Sequence, residues 1–132
     1  MANEATIIEL SGMNPIRFTC ADGTNISKGT LLKLSGDYTV VATDAAGDIY
    51  AGVAAHDKEA SDGSTEIGVH VPGQMNVFDM KAGAITVANG SILAISGANL
   101  VCLAVEAQTV TGAVVGKAVE AASASEVIRV IS

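Results

Sequence analysis

The sequence predicts an all-β fold, a small barrel or sandwich made from two repeated halves with an extended N-terminal arm. Three observations lead to this prediction. Of the 132 residues, 49% are apolar and only 3% aromatic, so the apolar content is mostly Val, Ile, Leu and Ala, and its β-branched members favour strands. Fourteen glycines and only two prolines supply turns between strands without breaking them. The third observation is an internal repeat.

The repeat places residues 26–42, ISKGTLLKLSGDYTVVA, beside residues 86–103, TVANGSILAISGANLVCL. The alignment matches Gly29 with Gly90, and its register continues, with a slightly longer offset, to Gly52 and Gly116. Two copies with so long a period do not make a solenoid. They predict a single β-domain over residues 26–132, in which halves of about 26–73 and 85–132 are related by a pseudo-two-fold axis.

The N-terminal segment, residues 1–25, lies outside the aligned repeat. Thr6–Leu10 is short and rich in strand-forming residues, Ser11–Pro15 interrupts it, and Ile16–Cys20 alternates in the manner of a second strand. We therefore predict an N-terminal arm and first strands over this segment. An apolar arm of this kind docks either on an edge of its own sheet or on a neighbouring molecule.

In the first half, each predicted strand is bounded by a turn. Strands are expected at residues 30–34, 38–42 and 49–55, separated by the turns Ser35-Gly36-Asp37 and Asp44–Asp48. Thr65–Val71 alternates between polar and apolar residues, which is typical of a half-buried strand. The small residues of Ala51–Ala55 allow another backbone to come close, either in the core or at a subunit contact.

The second half follows the same plan. Gln74–Met80 is predicted to be a strand that links the halves, and Val114–Val119 is the second strand of small residues. Ala118–Glu126 is rich in alanine, which favours helix. Its position in the repeat nevertheless corresponds to a loop, so we predict a loop with at most one helical turn.

Charge and composition exclude several classes of partner. The formal net charge of −7 repels phosphate backbones, so we expect no binding to nucleic acid. The scarcity of aromatic residues also argues against base stacking. No run of about 18 apolar residues occurs, so we expect no membrane-spanning helix. An acidic protein of this kind is compatible with a basic partner surface.

No pattern of catalytic or metal-binding residues stands out. His56-Asp57 is a conceivable base with its orienting acid, but a polar loop is the simpler interpretation. His70 lies in an alternating strand and is expected to face solvent or a neighbouring subunit. Cys20 and Cys102 are far apart and form no motif, so two free thiols are favoured over a disulfide and over a zinc site. We predict a protein that is not an enzyme and that holds no cofactor or metal.

An architecture of paired β-halves is also similar to that of biotinyl and lipoyl domains. Those carriers attach their cofactor to a lysine at a tight hairpin tip. Neither Lys33 nor Lys58 is expected at such a tip, because no tight turn surrounds either lysine. A small lipoyl-like, biotinyl-like or ligand-binding β-domain remains the alternative function.

Four segments resemble a known family. They are Ile26–Ser35, Ile49–Lys58, Asp62–Ile67 and Ala122–Val130. Together they resemble the capsid cement, or head decoration, proteins of tailed bacteriophages, and the resemblance covers about residues 15–132. The shared features are structural turns and strands, with no active-site motif.

The resemblance implies a β-tulip-like structural protein that binds the outside of an icosahedral head and clamps neighbouring major capsid subunits. It implies a homotrimer on the outer surface of the virion, made in the cytoplasm of the host bacterium, with the major capsid protein as partner. In such proteins the N-terminal arm adds to a strand of the capsid. The corresponding positions of this chain are Ala5, Thr6, Ile7, Ile8, Glu9 and Leu10.

Overall fold

A computed structural model describes residues 3–84 and 86–132. Within these residues the chain forms eleven strands and one short helix, which confirms the all-β prediction. The strands are β1 (Thr6–Glu9), β2 (Ile16–Thr19), β3 (Leu31–Gly36), β4 (Thr39–Ala42), β5 (Tyr50–Ala54), β6 (Glu66–His70), β7 (Val77–Ala82), β8 (Ile92–Gly97), β9 (Leu100–Leu103), β10 (Val114–Ala118) and β11 (Val127–Ile131), and the helix is α1 (Glu106–Thr111).

The strands close into two small barrels. The first barrel has the strand order β2-β4-β3-β5-β6. The second has the matching order β7-β9-β8-β10-β11, because β7 pairs with both β9 and β11. In each barrel one pair is parallel, β2 with β4 at Thr19 and Thr39, and β7 with β9 at Lys81 and Leu100. The strands thus pair in the same order in both halves. The repeat also includes β2 and β7, which precede the predicted halves.

The repeat extends to individual backbone contacts. The N–H of Gly29 donates to the carbonyl of Ala54 over 2.9 Å, and the N–H of Gly90 donates to that of Ala118 over 2.7 Å. We call residues equivalent when they occupy the same place in the two ladders. The offset along the sequence between equivalent residues is nearly constant from β2 to β4 and becomes larger at β5, whose equivalent is β10.

Gly52 and Gly116 explain why the strands β5 and β10 need small residues. A Cβ at Gly52 would overlap the backbone oxygen of His70, and a Cβ at Gly116 would overlap that of Ile131. Both glycines therefore allow the neighbouring strand to cross closely. All five residues of β5 are buried, so Ala51–Ala54 packs inside the described structure.

Two hydrophobic cores hold the barrels. The interior of the first barrel contains Cys20, Ile26, Leu32, Val40, Ala51, Ala54, Ile67 and Val69. The larger core combines the interior of the second barrel with side chains from the outside of the first. Its members include Phe78, Met80, Leu93, Ile95, Val101 and Ile128, together with Leu31, Tyr50 and Val53.

The predicted pseudo-two-fold axis is wrong. A two-fold axis buries the same surface of both halves at their junction. Here Leu31 and Tyr50 of the first barrel are buried against the second, whereas their equivalents Ile92 and Val114 are exposed and half-buried. The barrels therefore pack head to tail, with the outside of the first against one end of the second.

The helix was not predicted where it occurs. Ala118–Glu126 contains no helix, in agreement with the predicted loop, and α1 instead lies between β9 and β10. The Gln108 side chain accepts the N–H of Val105 at the start of α1, and Gly112 ends it in a left-handed conformation (φ 85°). In the first half the corresponding connection, between β4 and β5, is shorter, which accounts for the larger offset of β10 from β5.

Candidate interaction surface

The N-terminal arm docks on the protein itself and contacts both barrels. β1 pairs antiparallel with β7 of the second barrel, with Thr6 opposite Asp79. Just before this strand, the N–H of Ala5 donates to the carbonyl of Gly29 in the first barrel over 2.7 Å. Ala5 is buried and belongs to the larger core. The arm therefore ties the two barrels together.

One edge of β1 stays open. β1 is the outermost strand of its sheet, with β7 on its only paired side among the described strands. Backbone groups alternate in direction along a strand. Since the N–H of Ala5 points away from β7 to Gly29, the N–H of Ile7 also points away from β7. The outer edge at Ile7 is thus available to another extended segment.

The six residues assigned to the arm differ in exposure. Ala5 is buried, Ile7 and Ile8 are half-buried, and Thr6 and Glu9 are exposed. Leu10 follows the strand and is 51% exposed. The structure brings them together on one edge strand and its flanks, and their role in capsid binding stays a prediction.

A second exposed feature is the open end of the first barrel. The rings of Phe18 and Tyr38 stack with centroids 4.9 Å apart. Ile16 lies on the same face of β2 as Phe18, and Leu34 lies opposite Val40 of the barrel interior. Tyr38, Ile16 and Leu34 are 63%, 39% and 38% exposed. We call Ile16, Phe18, Leu34 and Tyr38 the first mouth.

The equivalent end of the second barrel is closed. Its four residues are Phe78, Met80, Ile95 and Asn99, which we call the second mouth. All four are buried, and three of them belong to the larger core together with Leu31 of the first barrel. The first barrel therefore covers the second mouth, and nothing in the described part of the chain covers the first.

The His56-Asp57 pair does not form a catalytic couple. The Nε2 atom of His56 lies 3.1 Å from the N–H of Gly68 and accepts its hydrogen, so Nδ1 donates to the backbone carbonyl of Asp57 over 3.0 Å. The Asp57 carboxylate accepts the N–H of Lys28 instead. The hollow beside His56 has a volume of about 230 Å³ and a largely polar lining that includes Arg17, which is small for a ligand pocket.

His70 lies where the two barrels meet, so the prediction that it faces solvent or a neighbouring subunit is wrong. It is buried, and its ring is tilted against that of Phe78 with centroids 6.1 Å apart. Desolvation, with a smaller contribution from the nearby charge of Lys28, lowers the pKa of its imidazole. His70 is therefore neutral near pH 7 and acts as a packing residue.

The acidic residues of the first half serve the loop after β4. The Lys33 ammonium lies 2.6 Å from Asp44 and 3.4 Å from Asp48. Partial burial alone would raise the pKa of Asp48, but N–H groups of Asp44 and Ala45 and the Lys33 charge lower it. Across residues 3–84 and 86–132, no group of three or more His, Cys, Asp or Glu side chains is placed to hold a metal ion.

Neither lysine considered for cofactor attachment projects from a hairpin tip. Lys33 lies within β3, and the side chain of Lys58 is buried. The Lys58 ammonium donates to the backbone carbonyl of Asp22 over 2.9 Å and lies 3.2 Å from the Asp62 carboxylate. These contacts make Lys58 a structural cation that anchors the loop before β6.

Both cysteines are free thiols, as the sequence predicts. Desolvation raises the pKa of each thiol, since Cys20 is buried in the first barrel and Cys102 is half-buried on β9. Thiols with raised pKa values are poor nucleophiles and poor metal ligands.

The described helix is too short to cross a membrane.

Comparisons with known proteins do not assign a family. No family model matches the chain, and no curated protein matches it. The difference between the two mouths is the feature that sequence reasoning missed. The signal that was available is the replacement of Asn99 by Tyr38 at equivalent turns, which places a large aromatic residue where the other half has a polar one.

Proposed function

We propose that this protein is a capsid cement, or decoration, protein that binds the outside of an icosahedral phage head and clamps neighbouring major capsid subunits. The observation that carries the proposal is the open outer edge of β1 at Ile7. An exposed strand edge binds an extended partner through main-chain hydrogen bonds, and alternate side chains give specificity. The exposed Leu10 and half-buried Ile8 supply apolar contacts beside that edge.

The attachment of the arm suits a clamp. β1 is paired with β7, and Ala5 is bonded to Gly29, so a strand added to β1 is joined to both barrels. A pull on the arm is therefore transmitted to the whole body of the protein rather than to a loose tail. The net charge of −7 favours a basic patch on the partner.

As a homotrimer on the shell, the protein presents three arms to the lattice. Three tethered weak contacts bind far more tightly than one, because the second and third contacts form at high effective concentration. Binding to the assembled shell and not to free subunits stabilises the shell by mass action. In this proposal the protein lies on the outer surface of the virion, with the major capsid protein as its partner.

The test compares Ile7→Pro with Ile7→Ala. Both substitutions remove the same side-chain contacts, but only proline removes the outward N–H. The two variants and the natural protein are mixed with phage heads that lack the protein, and the mixtures are sedimented. We expect the natural protein and Ile7→Ala to pellet with the heads, and Ile7→Pro to stay in the supernatant. Equal binding of the two variants would overturn strand addition at this edge, and no binding by any of the proteins would overturn the cement function.

A further inference from the structure

The junction between the two barrels is a built interface with two matched surfaces. One is the second mouth. The other lies on the outside of the first barrel and consists of Leu31, Thr43, Tyr50 and Val53, all of them buried. We call these four residues the first outer face.

Hydrogen bonds as well as apolar contacts join the first outer face to the second mouth. The N–H of Leu31 donates to Oδ1 of Asn99 over 2.8 Å, and the N–H of Asn99 donates to Oγ1 of Thr43 over 3.1 Å. Leu31, Tyr50 and Val53 complete the larger core. The junction thus combines a hydrophobic centre with hydrogen bonds at Asn99, as stable interfaces do.

Each of these surfaces has an equivalent that is uncovered. The first mouth is the equivalent of the second mouth. The equivalent of the first outer face lies on the second barrel and consists of Ile92, Ala104, Val114 and Lys117, which we call the second outer face. Ile92 is 43% exposed, Ala104 and Val114 are half-buried, and Lys117 is exposed. A single chain therefore carries one completed junction and the two unmatched halves of another.

We propose that the second outer face of one copy docks on the first mouth of another copy, with the same surfaces in contact between molecules as in the junction within one. The two Asn99 hydrogen bonds have no counterpart there, because Tyr38 and Ala104 replace Asn99 and Thr43. The molecule already contains a partner of this shape, because the first outer face covers the second mouth in the same way. The first mouth lies at the open end of a barrel core, where covering Ile16, Phe18 and Leu34 removes apolar surface from water.

The residue exchanges between the two junctions compensate one another. The first mouth has Tyr38 where the second has the smaller Asn99, and the second outer face has Ala104 where the first has the larger Thr43, the residue that Asn99 contacts. A large residue on one side thus meets a smaller one on the other, which conserves volume at the contact. Lys117 takes the place of the buried Val53, so its ammonium needs a carboxylate within the contact, and the exposed Asp37 beside Tyr38 is placed to supply one.

Such a contact joins different surfaces of the two molecules and is heterologous. Heterologous contacts generate rings when the rotation closes, and open filaments when it does not. If the protein is the homotrimer of the proposed function, this contact makes the trimer a ring in which first and second barrels alternate. Only this assignment to the trimer rests on the proposed function. The contact itself needs no capsid and is tested without one.

The experiment uses one substitution on each surface, Tyr38→Asp on the first mouth and Ile92→Asp on the second outer face. Asp tolerates the left-handed backbone at Tyr38 (φ 52°) better than most residues. Val127→Asp, at an exposed apolar position of β11 outside both surfaces, is the matched control. Circular dichroism checks that each variant is folded, and sedimentation velocity at millimolar protein gives the size.

The natural protein and Val127→Asp are expected to sediment as rings. Tyr38→Asp alone and Ile92→Asp alone are each expected to sediment as a monomer. An equal mixture of Tyr38→Asp and Ile92→Asp retains one intact contact, between the second outer face of the former and the first mouth of the latter. We expect this mixture to form a heterodimer and nothing larger. A natural protein that stays monomeric, an Ile92→Asp variant that assembles normally, or a mixture without heterodimer would each overturn the proposal. Head binding by Tyr38→Asp is measured separately, so a failed ring and a failed cement function give different results.

Discussion

Asn99 and Tyr38 occupy the same turn in the two halves but have opposite environments. Both have a left-handed backbone, with φ of 56° and 52°. Asn99 is fully buried and accepts the N–H of Leu31, whereas Tyr38 is 63% exposed and stacks on Phe18. Asn is among the residues that tolerate this backbone most readily. The pair shows that one turn geometry serves as an internal joint in one half and as a surface in the other.

The first prediction uses this pair as its own control. Asn99→Ala and Tyr38→Ala end with the same residue on the same left-handed backbone, and Asn99→Ala in addition loses the tolerance of Asn for that backbone. Only Asn99→Ala leaves the buried N–H of Leu31 without its acceptor. We expect Asn99→Ala to lower the free energy of unfolding by about 1–3 kcal/mol more than Tyr38→Ala, measured by urea denaturation. Equal losses would show that the Asn99 hydrogen bond does not stabilise the junction.

The docking of the arm is tested at two equivalent glycines. Gly29 and Gly90 have φ values of 90° and 81°, so alanine at either site carries a similar backbone strain. A Cβ at Gly29 overlaps the carbonyl oxygen of Ala5, whereas a Cβ at Gly90 meets open space. We expect hydrogen exchange of the β1 amides to become about tenfold faster or more in Gly29→Ala, and to change less in Gly90→Ala. Similar β1 exchange in both variants would contradict arm docking at Gly29.

Much of the fold could be predicted because the repeat records local structure. Gly29 and Gly90 share a left-handed backbone, and Gly52 and Gly116 share a position where a Cβ would overlap the neighbouring strand. The alignment of the two pairs therefore identifies a constraint that is the same in both halves. The alternation in Thr65–Val71 correctly predicts the strand β6, although four of its five residues are buried and the burial is not confined to one face. Signals that depend on neighbouring strands are therefore readable from sequence.

The junction between the halves could not be predicted in the same way. Leu31 and Ile92 are both apolar and both follow a glycine turn, yet only Leu31 is covered by the other barrel. Which of two equivalent surfaces is buried depends on how the barrels pack against each other, and the repeat in the sequence contains no information about that packing. The same reason explains the wrong prediction for His70, whose strand pattern was correct but whose outward face meets the second barrel.

Lys58 is expected to contribute more to stability than Lys33, although both contact carboxylates. The Lys58 side chain is buried and donates to the carbonyls of Asp22 and Glu59 as well as to Asp62. Its removal takes one donor from each of these acceptors and the cation from beside Asp62, so Lys58→Ala is expected to lower the free energy of unfolding by about 1–3 kcal/mol.

Lys33→Ala removes a more exposed cation and is the matched control, for which we expect a smaller loss. Both values come from urea denaturation at neutral pH. The second half has the buried Ala122 in place of Lys58 and forms its barrel without a cation there, so the Lys58→Ala protein is expected to fold. A loss for Lys33→Ala as large as that for Lys58→Ala would show that burial does not decide the contribution.

The last prediction concerns pH. Desolvation first, and the Lys28 charge second, lower the pKa of His70 below its ordinary value of 6.5. The unfolded chain then binds a proton near pH 6.5 that the folded protein binds only at lower pH, so stability is full above pH 6.5 and falls as the pH decreases below it. The loss is at most about 1.4 kcal/mol per pH unit for this one group.

His70→Ile is the variant that isolates this effect, because isoleucine is the equivalent residue of the second half, at Ile131. The Nδ1 atom of His70 has no hydrogen-bond partner in the described structure, so the substitution breaks no hydrogen bond at that atom. Urea denaturation between pH 7.5 and pH 5.5 is expected to show a loss of stability for the natural protein that is smaller in His70→Ile. Parallel pH dependences of the two proteins would contradict the burial of a neutral His70 between the barrels.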